Sequence, residues 1–124
     1  MSAPLLQAAD LRFINTVAAK RFGGGEPGAI DDAAVDAALA AAGDGTAFAR
    51  AATLAAGLLQ RHAFGSTPRQ TALLVLHCAL SLEGFSLIAP QGVMAGMIRG
   101  LDEDGDATVV ARWLEDRAVP SASG

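Results

Sequence analysis

The chain contains no tyrosine, one tryptophan and one cysteine, and aromatic residues make up only 5% of it. Without aromatic bulk, an interior has to be filled by aliphatic side chains on closely spaced elements. Hydrophobic residues reach 52% and are dominated by Ala, Leu, Val and Ile, a composition that favours helices. The lone Cys78 cannot form an intramolecular disulfide, which suits a reducing cytosol, and its apolar surroundings in the sequence read as those of a packed small hydrophobe. Positive charge is scarce as well. Nine Lys and Arg stand against thirteen Asp and Glu, for a formal net charge of -4, and they are dispersed, so no basic face is available to follow a nucleic-acid backbone. Long apolar runs are also missing: Ala72 to Leu82 is interrupted by His77 and falls short of the roughly 18 residues of a membrane span, so it reads as a buried central helix. The start, MSAPLLQAAD, lacks the basic and apolar regions of a secretory signal. A cytoplasmic protein that binds neither nucleic acid nor membrane is the expectation.

What is present reads as one domain over residues 1–124, large enough to bury a core. Leu5, Leu6, Ala9, Phe13, Val17 and Ala18 recur at helical spacing up to Phe22, where Gly23, Gly24 and Gly25 end the pattern. After GGGEPG, Asp31 or Asp32 supplies an N-cap for an Ala-rich helix ending near Ala42. A third helix spans Ala47 to Gln60, with Phe48, Ala52, Ala55, Leu58 and Leu59 on one face. Pro68 to about Glu83 follows, with Thr67 as N-cap, Gln70 placed for a capping box and Gly84 past the end. FSLIAP reads as an extended segment or loop and VMAGMIRGL as a short helix. Asp106 caps a last helix from Ala107 to Ala118 that carries Val109, Val110, Trp113 and Leu114, and residues 118–124 are expected to fray as a disordered tail. The result is an all-α fold, a single compact bundle of about five or six antiparallel helices.

Two stretches carry groups suited to chemistry. In DEDGD, an EF-hand frame started at Asp104 puts Val109 where the sharp turn needs glycine, so a solvated loop and helix cap is the better reading. In RHAFGSTPRQTA, His62 precedes a glycine-containing loop that opens onto a helix N-terminus. Free N–H groups and the helix dipole favour an anion there, Arg69 adds a cation, and His62 could take a proton from a hydroxyl held alongside. The bland alternative is a well-capped helix start after a His that ends the preceding helix. His77, on the apolar helix, reads as a core histidine, since no spacing pairs it with a second metal ligand.

RHAFGSTPRQTALLVLHCALSLEGF resembles the Fic motif region, in which His-x-Phe-x-Asp/Glu-Gly/Ala-Asn-Lys/Gly-Arg-Thr-Ala leads into a buried helix. KRFGGGEPGAIDDAAVDAAL and MIRGLDEDGDATVVARWLEDR resemble further segments of the Doc (death on curing) toxins of that family, so the likeness runs through essentially the whole chain. It implies the Fido fold, in which a loop and a helix N-terminus hold nucleotide phosphates beside a catalytic His. Family members transfer AMP or phosphoryl groups to protein hydroxyls; Doc toxins phosphorylate a translation elongation factor and are neutralised by an antitoxin whose disordered tail folds into a groove.

Carried over, His62 would be the general base and Phe64 the residue that packs the loop. Ser66 stands at the carboxylate that binds magnesium, and a neutral hydroxyl is a poorer ligand for that cation. Pro68 replaces a phosphate-binding Asn and removes a backbone N–H, and Gln70 replaces the phosphate-binding Arg. Each lost charge-stabilising donor lowers rate by on the order of a hundred- to a thousandfold. The implied protein is therefore a catalytically impaired pseudoenzyme, toxin-like (of a toxin–antitoxin type) or regulatory. It would act on a protein partner, an antitoxin-like segment or a translation factor, and would need no cofactor. Thr67, Arg69, Gln70 and Thr71 would form a vestigial phosphate site of roughly millimolar affinity. The alternative is an active transferase that uses ATP with Mg2+.

Overall fold

The computed structural model describes residues 6–23, 28–43, 45–102 and 105–121. Among them are six helices: α1 (Ala8–Phe22), α2 (Asp32–Ala42), α3 (Ala47–Gln60), α4 (Pro68–Leu82), α5 (Gln91–Asp102) and α6 (Ala107–Arg117). Two short strands, β1 (Phe85–Leu87) and β2 (Ala118–Pro120), pair antiparallel with Ser86 opposite Val119. The all-α expectation thus holds for the bundle, with one small ribbon added. Ala118, Val119 and Pro120 belong to that ribbon rather than to the last helix or a frayed tail, because the β1 backbone offers them partners and Ser121 N–H donates to Gly84 O at 2.8 Å. Residues 122–124 lie outside the described residues, as does Leu5.

The helix boundaries follow local chemistry. Asp31 accepts the Ala34 N–H at 3.1 Å and starts α2, and Asp106 accepts the Thr108 N–H at 2.8 Å and starts α6. Gly84, at φ 86, takes the left-handed position just past α4. In α5 the carbonyl of Pro90 accepts from Val93 and Met94, so the helix begins two residues before the apolar run does.

The central element is α3 rather than α4. It packs against α2, α4, α5 and α6, and buries Ala51, Ala52, Leu54, Ala55, Ala56, Leu58 and Leu59. On α4 only Ala72, Val75, Leu76, Ala79 and Leu80 form a buried apolar stripe, while Leu82 is 65% exposed. A similar shift applies to α1. Its buried stripe is Leu11, Ile14, Asn15, Ala18 and Ala19, which turns Phe13 outward at 68% exposure. Arg50, buried on α3, lies 3.8 Å from Glu83 at the C-terminal end of α4.

Small residues set the helix spacing. A Cβ built on Gly57 of α3 would lie 2.9 Å from Ala38 Cβ of α2, closer than real Cβ contacts come, whereas one on Gly96 of α5 meets nothing. Gly57→Leu is therefore expected to lower unfolding stability by about 1–3 kcal/mol. Gly96→Ala is expected to raise it by about 0.5–1 kcal/mol, because only the backbone entropy of glycine is removed. Urea denaturation of the two variants checks this, and a Gly57→Leu chain as stable as the parent would contradict the α2–α3 contact.

Candidate functional site

The His62 loop is tied at both ends by backbone bonds. At the end of α3, the Ala63 N–H reaches Leu58 O at 3.0 Å and the His62 N–H reaches Leu59 O at 3.1 Å, the paired bonds of a Schellman motif. His62 occupies its left-handed position, φ 53, where glycine is usual, and its side chain is exposed. The next two residues, Ala63 and Phe64, are buried. Phe64 bridges antiparallel to Ile30, Asp31 N–H donates to Ala63 O at 2.8 Å and Gly65 N–H donates to Ala29 O at 2.9 Å. The loop is thereby stitched to the segment entering α2. A Cβ on Gly65 would sit 3.2 Å from Ala29 O, which explains a small residue there.

From Ser66 onward the loop is held by α1. Asn15, fully buried, donates through Nδ2 to Ser66 O at 2.9 Å and to Thr71 Oγ1 at 3.0 Å. This residue was not singled out in the sequence, although an amide inside an apolar helical stripe is the signal that could have found it. Thr67 stands at the start of α4, but in left-handed conformation (φ 45, ψ 52) and without a side-chain bond to the helix. Neither the Thr67 cap nor the capping box with Gln70 is formed, because the loop fixed by Asn15 turns the Thr67 hydroxyl inward. Its Oγ1 and the Asn15 Oδ1 are both buried and find no hydrogen-bond partner among the described residues.

The four residues expected at a phosphate site, Thr67, Arg69, Gln70 and Thr71, do lie on one turn beyond His62. Their side chains do not all face it. The Thr67 hydroxyl is buried, Thr71 is buried against Asn15, and Arg69 Nε donates to Asp102 Oδ2 of α5 at 2.8 Å; Gln70 is exposed. In the sequence Asp102 stands simply as the first residue of the acidic loop DEDGD. Nothing in its spacing pairs it with Arg69, and Asp104, the start of the rejected calcium frame, lies outside the described residues. No group of three or more His, Cys, Asp or Glu among the described residues could hold a metal ion.

A second feature lies where α1 meets α4. A groove of about 640 Å³ is lined by Leu6, Asp10, Phe13, Ile14, His77, Cys78, Ser81 and Leu82. His77 is half-buried in its wall, and desolvation holds its imidazole below the usual histidine pKa, favouring the neutral form. Burial, with a smaller contribution from the Asp10 charge, pushes the Cys78 thiol up and away from reactivity. No described helix is long and apolar enough to cross a membrane.

The chain was compared with protein-family models, curated proteins and solved structures, and it matches none of them.

His62 holds a strained position that the helix end does not require of a histidine. His62→Gly is expected to raise stability by about 1 kcal/mol, the relief of a left-handed L-residue less the added entropy of the unfolded chain. Thermal unfolding checks this. A variant less stable than the parent would mean that the imidazole serves the fold.

Proposed function

We propose that the chain is a Doc-like protein of Fic type whose nucleotide-binding motif no longer supports standard transfer, and that it acts in the cytoplasm by binding a helical segment of a partner protein. The observation that carries this reading is that the groups left at the phosphate turn are engaged by the protein itself: Arg69 by Asp102, and Thr71 by Asn15. Pro68 presents no N–H there and Ser66 no carboxylate, so magnesium and ATP fit this donor set poorly. An exposed pair such as Arg69–Asp102 contributes at most about 1 kcal/mol, so a phosphate oxyanion can still compete for the guanidinium. That supports weak anion binding as a relic of the site.

The partner surface in this reading is the groove between α1 and α4. Phe13 and Leu82 project from its lining at 68% and 65% exposure, beside Ile14 and Leu6. Large side chains set in this way on two packed helices suit the apolar face of an amphipathic helix. An antitoxin-like segment that folds on binding, as the resemblance implies, is the occupant proposed. The second reading, an active transferase with His62 as general base, draws on one observation: a strained, exposed histidine at the mouth of the loop is the sort of outlier found where chemistry is done. It would need a phosphate clamp other than the family's.

Two outcomes are expected. Adding the chain to a host extract with radiolabelled ATP and magnesium should label no protein beyond those labelled without it; added labelling that disappears in His62→Ala would establish the transferase instead. For the binding reading, a partner co-purified from the native host should be lost from Phe13→Asp and Leu82→Asp and retained by Phe22→Asp, which is exposed but lies outside the groove. All three variants should keep parental stability within about 0.5 kcal/mol, as exposed positions do. A partner that stays bound to both groove variants would rule the groove out.

A further inference from the structure

Thr67 takes a conformation that every local preference opposes. A threonine at a helix start ordinarily has extended dihedrals and accepts an N–H from the first turn. Thr46 does so before α3, at φ -68 and ψ 158, with its hydroxyl accepting the Ala49 N–H at 3.1 Å. The residue before a proline is also driven towards extended dihedrals, and β-branched residues avoid the left-handed region. Thr67 precedes Pro68, is β-branched and stands at a helix start, yet sits at φ 45 and ψ 52 with its hydroxyl buried and unpartnered among the described residues. What opposes these preferences is the anchoring of the loop: Asn15 Nδ2 holds Ser66 O at 2.9 Å, and Ala29 O holds Gly65 N–H at 2.9 Å. The Thr67 methyl lies against the end of α1, where a Cβ on Gly23 would approach its Cγ2 to 2.8 Å.

We propose that the segment from Gly65 to Pro68 is a two-state switch. In the second state Thr67 turns to extended dihedrals, Ser66 O leaves Asn15, and the Thr67 hydroxyl accepts the Gln70 N–H, capping α4 as Thr46 caps α3. The two states exchange comparable terms: the buried amide of Asn15 keeps both its carbonyl and hydroxyl partners in the first, and the strain and the unpaired hydroxyl are relieved in the second. The exchange also decides what the helix end can do. In the state described, the Thr67 side chain does not cap the first turn of α4, which leaves that role to an oxyanion; in the second, Thr67 fills it itself. This consequence rests on the anion-site reading above, whereas the switch does not.

Amide relaxation dispersion on the full chain tests it, since loop rearrangements of this kind fall in the microsecond to millisecond range. With the second state populated at about 1–10%, broadening is expected at Ser66, Thr67, Arg69 and Gln70. It should vanish in Thr67→Gly, which accepts the left-handed conformation and has no hydroxyl to cap with, and in Thr67→Val, which keeps the shape without the hydroxyl. Asn15→Ala should move the balance to the capped state and slow hydrogen exchange of the Gln70 amide at least tenfold. Where Asn15→Ala does not fold, the two Thr67 variants decide alone. Flat profiles in the parent chain, or broadening that persists in Thr67→Gly, overturn the switch. Sulfate should suppress the broadening by holding the open state; broadening that sulfate leaves untouched removes the anion site while the switch stands.

Discussion

The structure depends on how closely helices can approach a single central one. With few aromatic side chains to fill space, the interior stays dense only if α3 brings its backbone near its neighbours, and the alanines along it together with Gly57 allow that. The contact of Gly57 with Ala38 places α2 against α3, and α2 in turn places Ala29 and Ile30 where the His62 loop can be stitched to them. The position of the loop is thus a consequence of core packing. Its backbone cannot drift without opening the contact between Phe64 and the core, and Phe64 is among the larger side chains buried there.

Within that frame, α1 does two jobs with neighbouring residues. Ile14 faces the groove shared with α4, and Asn15 faces inward to hold Ser66 and Thr71. A buried amide with two bonds made and one acceptor unpaired is a stiff but imperfect anchor. Removing it would leave a carbonyl and a hydroxyl without partners, which is the reason such a residue persists in an apolar stripe. The same turn of α1 thus lines the groove and grips the loop.

What could be read from the sequence was whatever is decided within a few residues. Asp31, Asp106 and Gly84 mark helix ends because a cap is satisfied three residues away or less, and the span of α3 followed from its breakers and its apolar face. The misreadings have long-range causes. The cap expected of Thr67 is displaced by a bond between residues 51 positions apart in the chain. The apolar recurrence through Phe13 is not the buried face of α1, because the stripe that is buried includes the polar Asn15 and so looks less apolar in the sequence. Val119 and Pro120 pair only because β1 lies beside them, and no local feature announces that. In the site, the run from His62 to Thr71 is visible as a unit, while its two controlling partners come from α1 and α5: Asn15 is hinted at only by its place in an apolar stripe, and no spacing pairs Asp102 with Arg69.

The places where local rules fail are not scattered. Among the described residues, the non-glycine positions with positive φ are His62 and Thr67, which bracket one loop. Glycine would relieve the strain at both, as it does at Gly84. Strain of this kind persists when surrounding structure over-determines it, and here the determinants are separate: a Schellman motif holds His62, and Asn15 holds the turn at Thr67. Two independent devices therefore maintain one unfavourable loop, even though the groups beyond it are engaged with Asp102 and Asn15 rather than left open. The shape of the loop is therefore imposed by α1 and by the end of α3 against the preferences of its own residues.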